Sequence, residues 1–294
     1  MSLMRLDPAR GRIAGFALPR LPRFRALRNW RVSLGGAILL VVLVSSLLAP
    51  WISPFDPYAQ DLKAALLPPG GSHLLGTDEF GRDLLSRLIW GGRIALLVAA
   101  VSVVVSLIAG LFLGLVAGYF GGWLDALIMR GVDILLAFPN FLLAIAMVAI
   151  LGPGLANMLV AIAIFGIPGF VRLYRAEVLT LKGADYVEAA RSMGAGPWQV
   201  IRRHILPNSI PLVIVLCSLR AATAILVASG LSFLGLGVEP PLPDWGAMLT
   251  NGREYLRVAP HLTTVPGLAI MALVFAFNIF GDGLRDILDP RRKH

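Results

Sequence analysis

Tyr186-Val-Glu-Ala-Ala-Arg-Ser-Met-Gly-Ala-Gly-Pro-Trp-Gln-Val-Ile-Arg-Arg-His-Ile-Leu-Pro-Asn208 is a polar, basic insertion between long apolar segments. Tyr186 to Met193 is rich in helix formers, and Gly194 and Gly196 supply a stop and a turn. Pro197 suits the first turn of a second helix, Trp198 to Leu206, which is expected to end against Pro207. A helix-turn-helix kept between membrane spans has to dock on something outside the lipid. Its charged residues, Asp185, Glu188, Arg191, Arg202 and Arg203, suit a soluble protein partner.

Composition sets the class. Apolar residues make up 57% of the 294-residue chain and charged residues 15%, against about 25% in ordinary soluble domains. With a mean hydropathy of +0.79, the chain reads as an all-α integral membrane protein. The single cysteine, Cys217, permits no internal disulfide. The net charge of +9 does not point to nucleic acid, because the cations flank the apolar runs, where anionic lipid headgroups are the nearby counter-charge.

Six runs are long enough to span a bilayer, near Leu34–Trp51, Ile94–Ala117, Val132–Leu151, Ala156–Leu173, Ile210–Leu236 and Leu262–Phe280. The first is too long, and its basic leader too extended, for a cleaved signal peptide. Arg5, Arg10, Arg12, Arg20, Arg23, Arg25, Arg28 and Arg31 precede or open it. With those arginines inside, the cations of the remaining loops also fall mostly inside, so both termini and the Glu188 insertion are expected to be cytoplasmic. The expected organisation is a basic amino-terminal segment over 1–33, a six-helix transmembrane body over 34–283 and a tail over 284–294. Outside loops fall near 53–93 and 237–261, and the inside insertion covers about 174–208.

Several features admit both a structural and a functional reading. Gly110, Gly114 and Gly118, spaced four apart, let two helix backbones approach closely, against a neighbouring span of the same chain or a second subunit. Pro139, and Gly166 with Pro168, are expected kinks. Thr77-Asp78 reads as a helix N-cap, with Arg82, Asp83 and Arg87 pairing on an exposed helix; contact with an external protein is the alternative. Asp282, Arg285, Asp286 and Asp289 suit local ion pairing at a membrane exit. Glu188 can pair with Arg191 one turn on, or meet a partner directly. Arg220 lies about halfway along the fifth span, where a charge costs at least about 2.5–3.5 kcal/mol, so it is expected to face a water-filled path or an acid unless it snorkels.

The insertion resembles the EAA motif of ABC-importer permeases: Glu-Ala-Ala, three residues, Gly, nine residues, then Ile-x-Leu-Pro. Glu188, Ala189, Ala190, Gly194, Leu206 and Pro207 fall on that pattern, while His204 stands in the place of its isoleucine. Arg203-His-Ile-Leu-Pro-Asn208 is similar to the variant of the peptide and nickel branch. Three further stretches, Leu75 to Arg93, Leu231 to Leu249 and Asn278 to Arg291, resemble segments of the dipeptide/oligopeptide C-type permeases.

The resemblance implies a type I ABC-importer fold in which Asp185 to Trp198 is a coupling helix seated on an ATPase subunit. Small side chains at Ala189, Ala190 and Gly194 would let it sit deep in a groove. It further implies a second, homologous permease, two ATPase subunits carrying ATP and Mg, an extracytoplasmic binding protein, and residence in the cell inner (plasma) membrane. No cofactor on this chain is expected. Peptide is the leading solute class, with nickel, glutathione or another small solute behind it.

Other classes find less support. There is no G-x-x-x-x-G-K-[ST] phosphate loop for ATP hydrolysis, no H-E-x-x-H or Cys/His cluster for a metal, and no G-x-S-x-G elbow for a hydrolase. An ion-gradient-driven transporter or channel, the rival reading, would place acids within the spans, and Asp133 lies at a span edge.

Overall fold

The computed structural model describes residues 29–288. The leader arginines up to Arg28, and Asp289 of the carboxy-terminal cluster, lie outside the described residues. Helix α1 (Trp30–Leu47) begins where the Asn29 side chain accepts from the Arg31 amide. It is followed by α2 (Leu84–Phe120), α3 (Gly122–Ala137), α4 (Asn140–Leu151) and α5 (Leu155–Lys182). Then come α6 (Asp185–Ser192), α7 (Pro197–Val200), α8 (Leu206–Phe233), α9 (Trp245–Gly252) and α10 (His261–Leu288). Among the described residues no strand forms beyond two isolated bridges.

Five helical runs are long and apolar enough to cross a bilayer: α1, α2, α5, α10 and the continuous run Pro197–Phe233. The third expected span is not one kinked helix. It is the pair α3 and α4, bent by 89°, and counting the pair as one span makes six. Phe138 is extended (φ −91°, ψ 140°), as steric conflict with the following Pro139 ring demands, and this ends α3. Pro168, by contrast, does not interrupt α5. It has no N–H to offer the Ile164 carbonyl. Ser106 of α2 supplies a donor nearby, with its Oγ 2.6 Å from Ala163 O and 2.7 Å from Ser102 O.

The main internal seam joins α2 to α5. A Cβ at Gly114 would lie 2.9 Å from Val171 O and 3.2 Å from Arg175 N, and one at Gly118 would lie 2.9 Å from Arg175 O. Gly110 faces Phe170 in the same way. The four-residue glycine spacing therefore serves packing within the chain, bringing backbone against backbone where lipid offers no hydrophobic drive. A smaller seam binds α1 to α10. Gly35 abuts the Ala276 carbonyl and Gly283 abuts Val32, and the Arg31–Asp286 pair (3.0 Å) closes one end.

The segment before α2 corrects the N-cap expectation. Asp83, not Thr77-Asp78, caps the helix, accepting from the Ser86 amide at 2.8 Å and its hydroxyl at 2.7 Å. Asp78 instead closes the preceding turn, accepting from the Phe80 and Arg82 amides and, at 2.6 Å, from Arg82 Nε. Nor is this an exposed helix: Asp78, Arg82, Asp83 and Arg87 are all 5% exposed or less. Long-range bonds bury them, with Arg87 donating to Pro57 O (3.0 Å), Ser86 accepting from the Phe55 amide (3.1 Å) and His73 Nδ1 2.9 Å from Asp83. Burial pushes the Glu79 carboxyl above its ordinary pKa. It does the same to Asp244, partly offset by hydrogen bonds from the Ala247 amide and other donors, where Asp244 caps α9.

Gly114→Val forces a side chain against backbone that has no rotamer to yield. It should destabilise the body by about 1–3 kcal/mol, read as a lower unfolding midpoint in detergent. Gly131→Ala, in open space on α3, should leave the midpoint unchanged or slightly raised.

Candidate functional site

The expected helix-turn-helix is present, as α6 and α7. Asp185 and Glu188 sit in the first turn of α6 and Arg191 in its last, matching the helix dipole. Gly194 stands at φ +88° and ends α6. Its amide bonds Arg191 O (2.9 Å) and that of Ala195 bonds Ala190 O (3.0 Å), a Schellman closure. Pro197 opens α7 at its first position, where the missing N–H has no partner to lose.

Beyond α7 the structure departs from expectation, because the helix does not stop at Pro207. Ile201–Ile205 widens into a π turn, and the Leu206 amide reaches Ile201 O, five residues back. The wider turn accommodates the Pro207 ring, and the helix runs unbroken from Pro197 to Phe233. Leu206 and Pro207 therefore belong to the rod behind the elbow, not to the elbow itself.

The elbow has a wet face and an anchored face. Val187, Val200, Ile201 and Ile205 are buried with Tyr119, Tyr174 and Val178 in one apolar cluster. Asp185, Glu188, Ala189, Arg191 and Gly194 are exposed, as are Met193 (82%) and Trp198 (69%). Ala190 does not share that outer face; it is 6% exposed and turned toward the chain's own body. Small size serves internal packing at Ala190, while Ala189 and Gly194 offer the small outer surface. The Glu188–Arg191 pair does not form. Arg191 instead lies 5.4 Å from the Tyr119 ring centre, which leaves the Glu188 carboxylate in solvent.

Bonds that local spacing did not announce brace this elbow and the helices beneath it. Asp125 of α3 accepts from Arg175 Nε and Nη2, both at 2.6 Å, a bidentate pair. Lys182 donates to Tyr119 O at 2.6 Å. Tyr174 Oη lies 3.1 Å from Ser209 Oγ, and the Tyr186 and His204 rings are 5.9 Å apart. Asp125 and Arg175 are fifty residues apart, and no local spacing links them.

Arg220 lies in a recess between α2, α5 and α8 that it shares with Ser102, Ser106, Phe170 and Thr223. Its guanidinium occupies the space a Cβ at Gly169 would fill, and its Cζ lies 5.9 Å from the Phe170 ring centre. Of the two expected surroundings, a water-filled path or an acid, the second is not met: among the described residues Arg220 forms no ion pair. Asp133 is held by Arg172 at 2.7 Å, an exposed pair on the α3 and α5 surfaces.

The chain is thus a multi-span helical membrane protein with a braced, solvent-exposed two-helix elbow. Residues 110–294 match the model for the binding-protein-dependent transport system inner membrane component, and 23–69 match the N-terminal TM domain of oligopeptide transport permease C. The chain belongs to this family of ABC-importer permease subunits, multi-pass proteins of the inner membrane that work with ATPase and substrate-binding partners.

Among its relatives is the glutathione transport system permease protein GsiD of Pectobacterium atrosepticum, 47% identical over 270 residues, covering 92% of this chain and 90% of that one. The di/tripeptide transport system permease protein DppC of Pseudomonas aeruginosa is 46% identical over 301 residues, covering 100% and 99%. A chain in the inward-facing MetNI methionine ABC transporter superposes with a TM-score of 0.58 at 20% identity, over 70% of this chain and 98% of its own. That likeness supports the fold assignment, a type I importer permease.

Val187→Asp would bury a carboxylate in the apolar cluster and should release the elbow. Proteolysis within Met193–Gly196 should then rise about tenfold or more, while far-UV circular dichroism of the spans holds. Glu188→Gln, on the wet face, should cleave like the parent chain.

Proposed function

We propose that this chain carries short peptides or glutathione-like solutes as one of a pair of homologous permeases served by two ATPase subunits and an extracytoplasmic binding protein. The α6–turn–α7 elbow is the contact for an ATPase subunit on the cytoplasmic side, where both termini also lie. ATP and Mg act on those partners; this chain binds no cofactor and catalyses no reaction. The observation that carries the reading is the elbow's two-sidedness. One face is locked into the body by Val187, Val200 and Ile205, and the other presents Asp185, Glu188, Ala189, Arg191 and Gly194 to solvent.

The mechanism follows from rigidity. Closure of the ATPase pair on nucleotide would displace the two elbows toward each other. Each elbow is continuous with the rod from Pro197 to Phe233 and is packed against Tyr174 and Val178 of α5, with Tyr174 also hydrogen-bonded to Ser209 of the rod. Movement at the elbow therefore tilts α5 and α8 together, and the cavity between the permeases opens toward the binding protein. Hydrolysis would restore the inward-facing arrangement. Peptide and glutathione stand ahead of other solutes because of the relatives' named cargoes.

Two measurements test this. Glu188→Arg or Gly194→Asp should cut recovery of ATPase subunits on co-purification about tenfold or more without reducing membrane insertion; full recovery and transport in both would remove the coupling assignment. A cysteine placed at Ser192 should react with an impermeant maleimide only from the cytoplasmic face.

A further inference from the structure

We infer that Arg220 reads the C-terminal carboxylate of the solute during its passage, so that it is a specificity-determining residue of the permease. The inference rests on the peptide or glutathione reading above, since both solute classes bear such a group. Four observations carry it.

First, Arg220 is about midway along α8, charged at any physiological pH, and makes no hydrogen bond or ion pair among the described residues. Second, none of the described acids pairs with it. Asp125 is engaged by Arg175, Asp133 by Arg172 and Asp286 of α10 by Arg31, Asp282 of α10 is exposed, and Glu177 lies eight residues beyond Gly169, about 12 Å along α5. Third, the guanidinium is seated in a prepared place. Gly169 leaves open the volume it fills, and Phe170 flanks it.

Fourth, the recess offers an anion donors from one source. Ser102 Oγ donates to Val98 O (2.5 Å) and Thr223 Oγ1 to Leu219 O (3.1 Å). Ser106 Oγ is directed to Ser102 O and Ala163 O. With the hydroxyl hydrogens turned to backbone carbonyls, the guanidinium fork is what remains to bind a carboxylate, and it suits two-point contact. The recess is partly open, and its enclosed part has room for little more than a water molecule. A carboxylate on a mobile solute would meet the guanidinium at the open side.

The test uses the complete importer, with its binding protein and ATPases, in liposomes. Uptake of trialanine and of glutathione is compared with that of their C-terminal amides. The binding protein's own preference is common to all variants and cancels when the acid-to-amide ratio is compared between them. Arg220→Gln should lower uptake efficiency of the free acids about tenfold to a hundredfold while leaving the amides as they were. Arg220→Lys should recover only part of the ratio, because an ammonium lacks the fork. Gly169→Ala keeps the charge but places a methyl where the guanidinium sits, so the ratio should fall several-fold.

Equal losses on acid and amide, or an unchanged ratio, overturn the inference. Loss of the second permease on purification of Arg220→Gln would assign the arginine to the subunit interface and overturn it too. A wild-type complex that imports neither probe refutes the peptide and glutathione reading, and this inference falls with it.

Discussion

The contact on which the rest depends is the glycine seam between α2 and α5. In lipid, two apolar helices gain little by hiding from their surroundings, so association has to come from close backbone contact and polar bonds. Gly110, Gly114 and Gly118 allow that contact, and it places α5 within reach of several second bonds. Ser106 can then donate across the seam to a carbonyl near Pro168, and Lys182 can reach Tyr119 O. Arg175 meets Asp125 in the helix that follows α2. A bulky residue at any of the three glycines would move α5 outward and loosen all of these together.

The same seam fixes the elbow. Tyr119 stands at the end of α2, directly after Gly118, and Tyr174 and Val178 lie on α5 across from Gly114 and Gly118. Together they form the apolar floor on which Val187, Val200 and Ile205 rest. The elbow is thus held by the two most closely packed helices of the body and by the rod it begins. From Val200 to Arg220 is twenty residues of helix, about 30 Å. A displacement at the elbow has no flexible joint in which to dissipate before reaching the level of Arg220. The π turn at Ile201–Ile205 preserves this continuity where an ordinary helix would have stopped at Pro207.

Much of this was legible in the chain, and what was not has a common cause. Gly194 and Pro197 act locally, and each does what its backbone preference dictates. The periodic glycines of α2 likewise announce a close contact, though not with which helix. Three prolines show the limit. Pro139 breaks its helix, Pro168 is carried through, and Pro207 is absorbed by a widened turn. The residue is the same each time; the outcome is set by the backbone and packing around it. The choice of Asp83 over Asp78 as the cap of α2 is similar. Both are good capping residues, and contacts from Phe55, Pro57 and His73, far back in the chain, decide between them. Asp125 with Arg175 was invisible for the same reason.

The distribution of charge gives the last step. Around the start of α2, Asp78, Arg82, Asp83 and Arg87 are buried, but each is answered by an opposite charge, a histidine or a backbone group, so the segment is neutralised from within. Arg175 and Arg172 are likewise matched by acids of α3. Arg220 is seated as carefully as any of these, against Gly169 and Phe170, yet no acid of the described chain meets it. A body that answers Arg82, Arg87 and Arg175 internally has left this one open where desolvation makes openness costly. Structure alone gives no reason to keep it, since a leucine or methionine would fill much of the same volume without the charge. What retains an unanswered guanidinium at that depth is an anion that comes and goes.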